Sequence, residues 1–273
     1  MLGNMMNDQL LISGVLEHAI KNNANTEIVS NTVEGGIHRY TIGDAAQRSK
    51  KLANALLSLG IGEGDIVATM AVNSYRHLEL YFGISGLGAV LHTLHPRLFP
   101  DDIKYIVNHA EDKYIFIDAP FLPIIENVIS DLKSVKGIII LTDKEHMPAS
   151  SIKNLICYED FISNESDNIT WPEFDENTAS SLCYTSGNPK GVLYSHRSTV
   201  LHAWYATAGN AMNLTSETIL LPVVPMFHVN AWGIPYASFM YGAKMVFPGP
   251  HTDGESICNL ITSEKVNQLM GVP

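Results

Sequence analysis

Between Asp65 and Thr142, helix-length amphipathic segments alternate with short apolar runs, and this alternation limits the fold more than any other feature. Strands are expected at 65–70, 89–94, 113–118 and 137–142, with helices at 75–86, 101–110 and 121–132 between them. In the segment 101–110, Ile103, Ile106, Val107 and Ala110 fall at helical spacing behind Pro100-Asp101-Asp102, a good helix start. Runs such as Gly137-Ile-Ile-Ile-Leu141 are apolar at every position rather than at every second one. That pattern suits a parallel strand covered on both faces, so the class is α/β.

The flanks fit the same class. A helix is expected from Gln9 to Lys21, then strands 27–31 and 37–41 joined through Glu34-Gly35-Gly36. Thr41 and Asp44 have capping-box spacing and open an amphipathic helix carrying Ala45, Ala46, Leu52, Ala53, Leu56 and Leu57. Gly60, Gly62 and Gly64 end it. This trio precedes a strand rather than a helix, so it is no dinucleotide fingerprint. Residues 163–178 hold five acids and no base, and read as a surface connector leading to a strand at 180–185.

Charge excludes several function classes. The chain has 17 Lys+Arg against 28 Asp+Glu, and no basic patch that would hold nucleic acid or an anionic membrane. Cys157, Cys183 and Cys258 are odd in number and far apart, as expected for a reducing compartment, without a disulfide framework or a cysteine zinc site. Met1–Gln9 lacks the pattern of a signal peptide, and 78–94 is too short and too interrupted to span a bilayer. A cytoplasmic location is expected. His92 and His95 have no third ligand at a recognisable spacing, so no metal is assigned to them.

Residues 184–197 read Tyr-Thr-Ser-Gly-Asn-Pro-Lys-Gly-Val-Leu-Tyr-Ser-His-Arg. A loop of Gly, Ser and Thr with one lysine can offer N–H groups, hydroxyls and a cation to phosphate oxygens. The same residues also read simply as two strands, 180–185 and 191–195, joined by a tight turn. The Walker spacing is absent, and Ser186 lacks the flanking glycine of a nucleophile elbow. Ser195 and His196 open a helix at 198–211 rather than forming a catalytic pair.

The segment resembles the phosphate-loop signature of the adenylate-forming acyl-CoA synthetases. Tyr184, Thr185, Ser186 and Gly187 match its front half; Pro189, Lys190, Gly191, Val192 and His196 match its rear half. Three further segments resemble the family in order and spacing, namely 86–98, 105–112 and 225–233. The resemblance implies layered α/β sheets of the family's N-terminal domain, truncated, with one largely complete unit and an incomplete second. Residues 65–178 would form the first unit with its acidic connector; 1–64 and 179–273 would form the motif hairpin and the second unit, with the C-terminal domain absent.

The same resemblance implies an ATP-dependent synthesis of acyl-CoA through an acyl-adenylate, with ATP, Mg2+ and CoA taking part. Thr185, Ser186, Gly187, Lys190 and Gly191 would bind ATP phosphates, and Thr185 would also meet Mg2+. His228, Trp232 and Gly233 would line the acyl pocket. Phe227-His228-Val229-Asn230 contains no acid to pair with a substrate ammonium, which implies a fatty acid or similar simple carboxylic acid.

Two departures qualify this picture. The Thr-Thr-Gly that usually follows Gly187 is missing, and three extended residues reach about 10 Å. The flanking strands can still pair, while the phosphate cradle is damaged. The chain also ends where the family would continue towards its Mg2+-binding glutamate, its ribose-binding aspartate and its C-terminal lysine. The chain alone is therefore expected not to complete catalysis, and a non-catalytic binding or interaction role is the alternative. Apolar surface is expected around 266–272.

Overall fold

The computed structural model describes residues 1, 3–185 and 189–271. The chain opens with α1 (Ile12–Asn23), a hairpin of β1 (Glu27–Asn31) and β2 (Ile37–Thr41), and α2 (Ile42–Ser58). The alternating region then runs β3 (Ile66–Met70), α3 (Tyr75–Gly86), β4 (Val90–Thr93), α4 (Pro100–Ala110), β5 (Tyr114–Ile117), α5 (Leu122–Glu126) and β6 (Gly137–Ile140). A short β7 (Ile156–Cys157) and α6 (Tyr158–Ser163) precede the hairpin β8 (Ala179–Tyr184) and β9 (Gly191–Ser195). The chain continues through α7 (His196–Ala206), β10 (Ile219–Pro222), α8 (Ile234–Tyr241), β11 (Lys244–Phe247), α9 (Gly254–Glu264) and β12 (Gln268–Met270).

Two sheets result. The larger has the order β7-β6-β5-β3-β4-β8-β9 and is parallel except for β9. The smaller has the order β12-β10-β11-β1-β2 and is parallel except for β2. This is the layered α/β class expected. The hairpin β8–β9 lies elsewhere than assigned: Leu91, His92 and Thr93 of β4 pair in parallel with Ser181, Leu182 and Cys183. It therefore extends the sheet of the first unit rather than opening the second. An apolar strand pairs wherever an edge is free, and sequence order alone does not say which edge.

The Thr41 capping box forms as expected: Asp44 N–H donates to the Thr41 hydroxyl, and Thr41 N–H donates back to the Asp44 carboxylate at 2.9 Å. Two expected helices differ. The segment 121–132 breaks into α5 and a short 3-10 turn at Ile129–Asp131. Val128, at φ −124° and ψ −6°, leaves helical geometry between them; beyond that break the Asn108 side chain donates to the Asp131 carbonyl and accepts the Lys133 N–H, both at 2.9 Å. The helix expected at 198–211 is α7, which Thr207 closes by bonding its hydroxyl to the Trp204 carbonyl. Its N-cap is Ser195, which accepts from Ser198 N–H.

Helix α3 is buried along its whole length and packs on β4 of one sheet and β1 of the other. Gly83 lets α2 approach: a Cβ there would sit 2.7 Å from Leu52 Cδ2. Burial on all sides obliges the polar residues of α3 to find partners. Glu79 accepts from Arg48 at 2.7 Å and from the Tyr158 hydroxyl at 2.6 Å. Arg48 also forks onto Glu159, two bonds of 3.0 Å, and Arg76 joins Glu159 to Glu34. One connected ion network thus ties α2, α3 and α6 to the β1–β2 turn.

At the other end of the chain, Leu269 of β12 is exposed while Val266 packs against the core; Val272 lies outside the described residues. Among the described residues, no helix is long and apolar enough to cross a membrane.

Candidate functional site

In parallel α/β sheets, ligand crevices lie beyond the carboxyl ends of the strands. The chain leaving β4 carries His95, Arg97 and Leu98; the chain leaving β8 carries Thr185; the chain after β10 carries Phe227 and His228. These three exits wall a cavity of about 370 Å³, together with Thr93, Ile106, Cys183, Tyr184 and Pro189.

The third wall comes from the other sheet and is held by α3 and the turn before it. The buried Asn73 side chain donates to the carbonyls of Pro222 and Val224, each at 2.9 Å, and accepts the Met226 N–H at 2.7 Å. The Tyr81 hydroxyl donates to the Met226 carbonyl. Met226 is thereby fixed on both faces of its backbone, one residue before Phe227.

Beyond His228 the chain makes a left-handed turn, with φ of 47°, 48°, 47°, 55° and 71° from Val229 to Gly233. Four of these residues bear a Cβ, at a cost of roughly 1–2 kcal/mol each. The compensation is local. Asn230 donates to the Ser181 hydroxyl at 2.7 Å in the buried floor, and His202 Nε2 meets the Trp232 carbonyl at 3.0 Å. Gly233 is required there, because its φ is positive and a Cβ would lie 2.9 Å from His202 Cδ2.

The expected site residues divide accordingly. Thr185 and His228 line the cavity. Lys190 and Gly191 are exposed, and Gly191 leaves room for the rings and methyls of Tyr184 and Leu182. Trp232 and Gly233 belong to the turn behind His228, and the close approach at Gly233 is made by His202. Ser186 and Gly187 lie outside the described residues.

The ends of the shortened loop are bonded to each other. Thr185 N–H donates to the Lys190 carbonyl at 3.1 Å, and Lys190 N–H donates to the Thr185 hydroxyl at 3.2 Å. A Mg2+ ion takes near-octahedral oxygen ligands, usually with carboxylates and phosphates. Among the described residues the cavity lining contains no carboxylate, and Thr185 offers one oxygen already bonded to Lys190. These residues do not make a resident Mg2+ site. No cluster of three or more His, Cys, Asp or Glu side chains fit for a metal occurs among the described residues.

Sequence reasoning did not assign His95, Arg97, Tyr184 or Phe227 to the site. His95 stands edge-on to Phe227, ring centres 4.7 Å apart, and its Nδ1 accepts the Arg97 main-chain N–H at 3.0 Å. Burial, with His228 and Arg97 nearby, holds its pKa below the usual imidazole value. Burial pushes the Tyr184 phenol up to about 12, and its hydroxyl bonds His109 Nδ1 at 2.6 Å. The usable signal was placement directly after the apolar strands. His92 is instead sealed away, its Nδ1 bonded to the buried Asp112 at 2.8 Å.

The fold and the placement of the cavity define the N-terminal domain of an adenylate-forming enzyme. Residues 16–273 match the AMP-binding enzyme family, to which this chain belongs. It is 48% identical to a medium-chain-fatty-acid–CoA ligase of Ectopseudomonas oleovorans, over 100% of this chain and 50% of that protein. It is 45% identical to a 3-methylmercaptopropionyl-CoA ligase of Ruegeria pomeroyi (100% and 51%), and 42% identical to a long-chain-fatty-acid–CoA ligase of Thermus thermophilus (98% and 49%). The chain spans about half the length of the curated relatives it matches. Among solved structures, an anthranilate CoA ligase in complex with anthranoyl-AMP superposes with a TM-score of 0.83 at 21% identity, covering 97% of this chain and 49% of that one. The N-terminal domain of FACL13 from Mycobacterium tuberculosis gives 0.81 at 24% identity, covering 96% and 63%. At such identities the likeness concerns the fold.

Proposed function

We propose that this chain is the acid-binding part of an ATP-dependent acyl-CoA ligase. The parent reaction would join a carboxylic acid to the α-phosphorus of ATP, release pyrophosphate, and pass the acyl group to CoA. The observation that carries this reading is the convergence of Thr185, His95 and His228 on one cavity beyond the strand ends. Leu98, Ile106 and Phe227 give that cavity an apolar wall, which favours an aliphatic acid. Relatives named for medium-chain fatty acid, long-chain fatty acid and 3-methylmercaptopropionate support the same substrate class. Mg2+ would arrive with the triphosphate rather than reside in the protein. Unpaired Cys157, Cys183 and Cys258 are consistent with a cytoplasmic setting.

A second reading, acid binding without catalysis, is favoured by the Thr185–Lys190 closure, because the main-chain N–H groups of Thr185 and Lys190 are spent within the loop and not offered to phosphate. Purified chain, incubated with hexanoate, ATP, Mg2+ and CoA, is expected to bind hexanoate without yielding hexanoyl-CoA. A yield above that of a Thr185→Val, Lys190→Ala double variant prepared in parallel would refute the non-catalytic reading. Failure of hexanoate to bind would refute both.

A further inference from the structure

We propose that His95 is the cavity's hydrogen-bond donor to a ligand oxyanion, presenting Nε2–H from a neutral imidazole. The inference rests on the reading of the cavity as an acid-binding site and names the group that would recognise the acid.

His95 Nδ1 accepts the Arg97 main-chain N–H at 3.0 Å, so it cannot itself carry the proton. A neutral imidazole has one N–H, which must then be on Nε2. Phe227 fixes the ring from the side at 4.7 Å. Pro96 lies between the two bonded residues and restricts the turn that brings Arg97 N–H onto the ring. The tautomer is therefore built into the backbone of the β4 exit.

The surroundings select the ligand. Among the described residues, the titratable groups lining the cavity with His95 are Arg97, Cys183, Tyr184 and His228, and none is a carboxylate. A guanidinium and a directed N–H favour an oxygen carrying negative charge. The pKa of His95 lies below the ordinary imidazole value through burial first, then His228 and Arg97. The ring is neutral at pH 7, and its donor does not depend on taking up a second proton. A carboxylate and a phosphoryl group share this chemistry, so the two are separated by experiment.

The whole chain, labelled with 15N-histidine, would be observed by two-bond proton–nitrogen correlation near pH 7. The expected His95 pattern is the Nε2–H tautomer; an Nδ1–H pattern overturns the proposal. Hexanoate and pyrophosphate would then be titrated separately. A shift of the Nε2–H signal with hexanoate identifies a carboxylate as the ligand, and a shift with pyrophosphate identifies a phosphoryl group. His95→Ala is expected to weaken the effective probe about tenfold or more, as for a lost hydrogen bond to a charged group. His95→Gln keeps an N–H donor near Nε2 and is expected to stay within about threefold of the parent chain. Equal binding by the parent chain and His95→Ala overturns the role of His95 and leaves the acid site standing. Binding of neither probe to the parent chain overturns both.

Discussion

Met226 donates its main-chain N–H to the Asn73 side-chain oxygen at 2.7 Å, within a buried cluster that also takes the carbonyls of Pro222 and Val224. Asn73 follows β3 of the larger sheet, whereas the groups it holds end or follow β10 of the smaller. One amide therefore sets the height of Phe227 and His228 above a cavity whose other walls belong to the opposite sheet. Asn73→Ala would leave one N–H and two carbonyls without their partner. The expected loss is about 3 kcal/mol or more, from the desolvation of unpaired buried groups. Urea denaturation measures this loss, and hexanoate affinity should fall with it. A midpoint within error of the parent protein would show that water replaces the amide at no cost.

The turn at Val229–Gly233 offers a test of stored strain. Gly233→Ala forces a Cβ into a φ of 71° and to within 2.9 Å of His202. A loss of about 1–3 kcal/mol is expected, of which the steric part disappears in a His202→Ala background. A double-mutant cycle separates the two contributions. Additive losses would mean that His202 does not press on Gly233.

Acid sensitivity should come from histidines buried in neutral form. His77 and His196 are both held at about 4, by burial in each case. Each is locked as it stands: His77 Nδ1–H donates to the Val72 carbonyl, and His196 Nδ1 accepts the Ile12 N–H. Their folded pKa values lie below the unfolded 6.5, so between about 4 and 6.5 the unfolded chain binds more protons. Stability is full above that window and falls as pH drops through it. Each group contributes up to about 1.4 kcal/mol per pH unit. His196→Gln should flatten the profile of denaturation midpoint against pH, and an unchanged slope would sink the assignment.

The Thr185–Lys190 closure can be opened by design. Insertion of Thr-Thr-Gly after Gly187 would release the Thr185 and Lys190 N–H groups and lengthen the loop by about 10 Å of chain. Calorimetric titration with Mg2+–ATP is expected to show a gain of about tenfold or more, or ~1.4 kcal/mol. Hexanoate affinity should stay the same, because His95 and Phe227 are untouched. If the insertion leaves nucleotide affinity unchanged, the shortened loop is not what limits it.

The elements legible in the sequence are those whose signal is local. The Thr41–Asp44 box, the β1–β2 hairpin and the apolar β5 and β6 depend on neighbours a few residues away. Asn108 shows the opposite case: it ties the end of the 121–132 segment to α4 from more than twenty residues away, and nothing in that segment announces it. The sheet membership of β8 is equally remote, since Ser181 and Cys183 would pack as well on another edge. The candidate site was half legible. Thr185 and His228 sit in motifs that resemble a family signature. His95 became visible only once its Nδ1 was seen to be occupied by Arg97, a bond that depends on backbone geometry rather than on composition.

The walls of the cavity also carry a kinetic consequence. His95, Thr185 and His228 come from distant parts of the chain, and the last is positioned only when Asn73 spans from one sheet to the other. Contacts so far apart in sequence are closed late, after local helices and hairpins have formed. A collapsed intermediate with both sheets present but undocked would have nearly all its secondary structure and no cavity. Ligand binding would then report completed docking, and its rate of appearance during refolding should lag behind the far-ultraviolet circular dichroism signal.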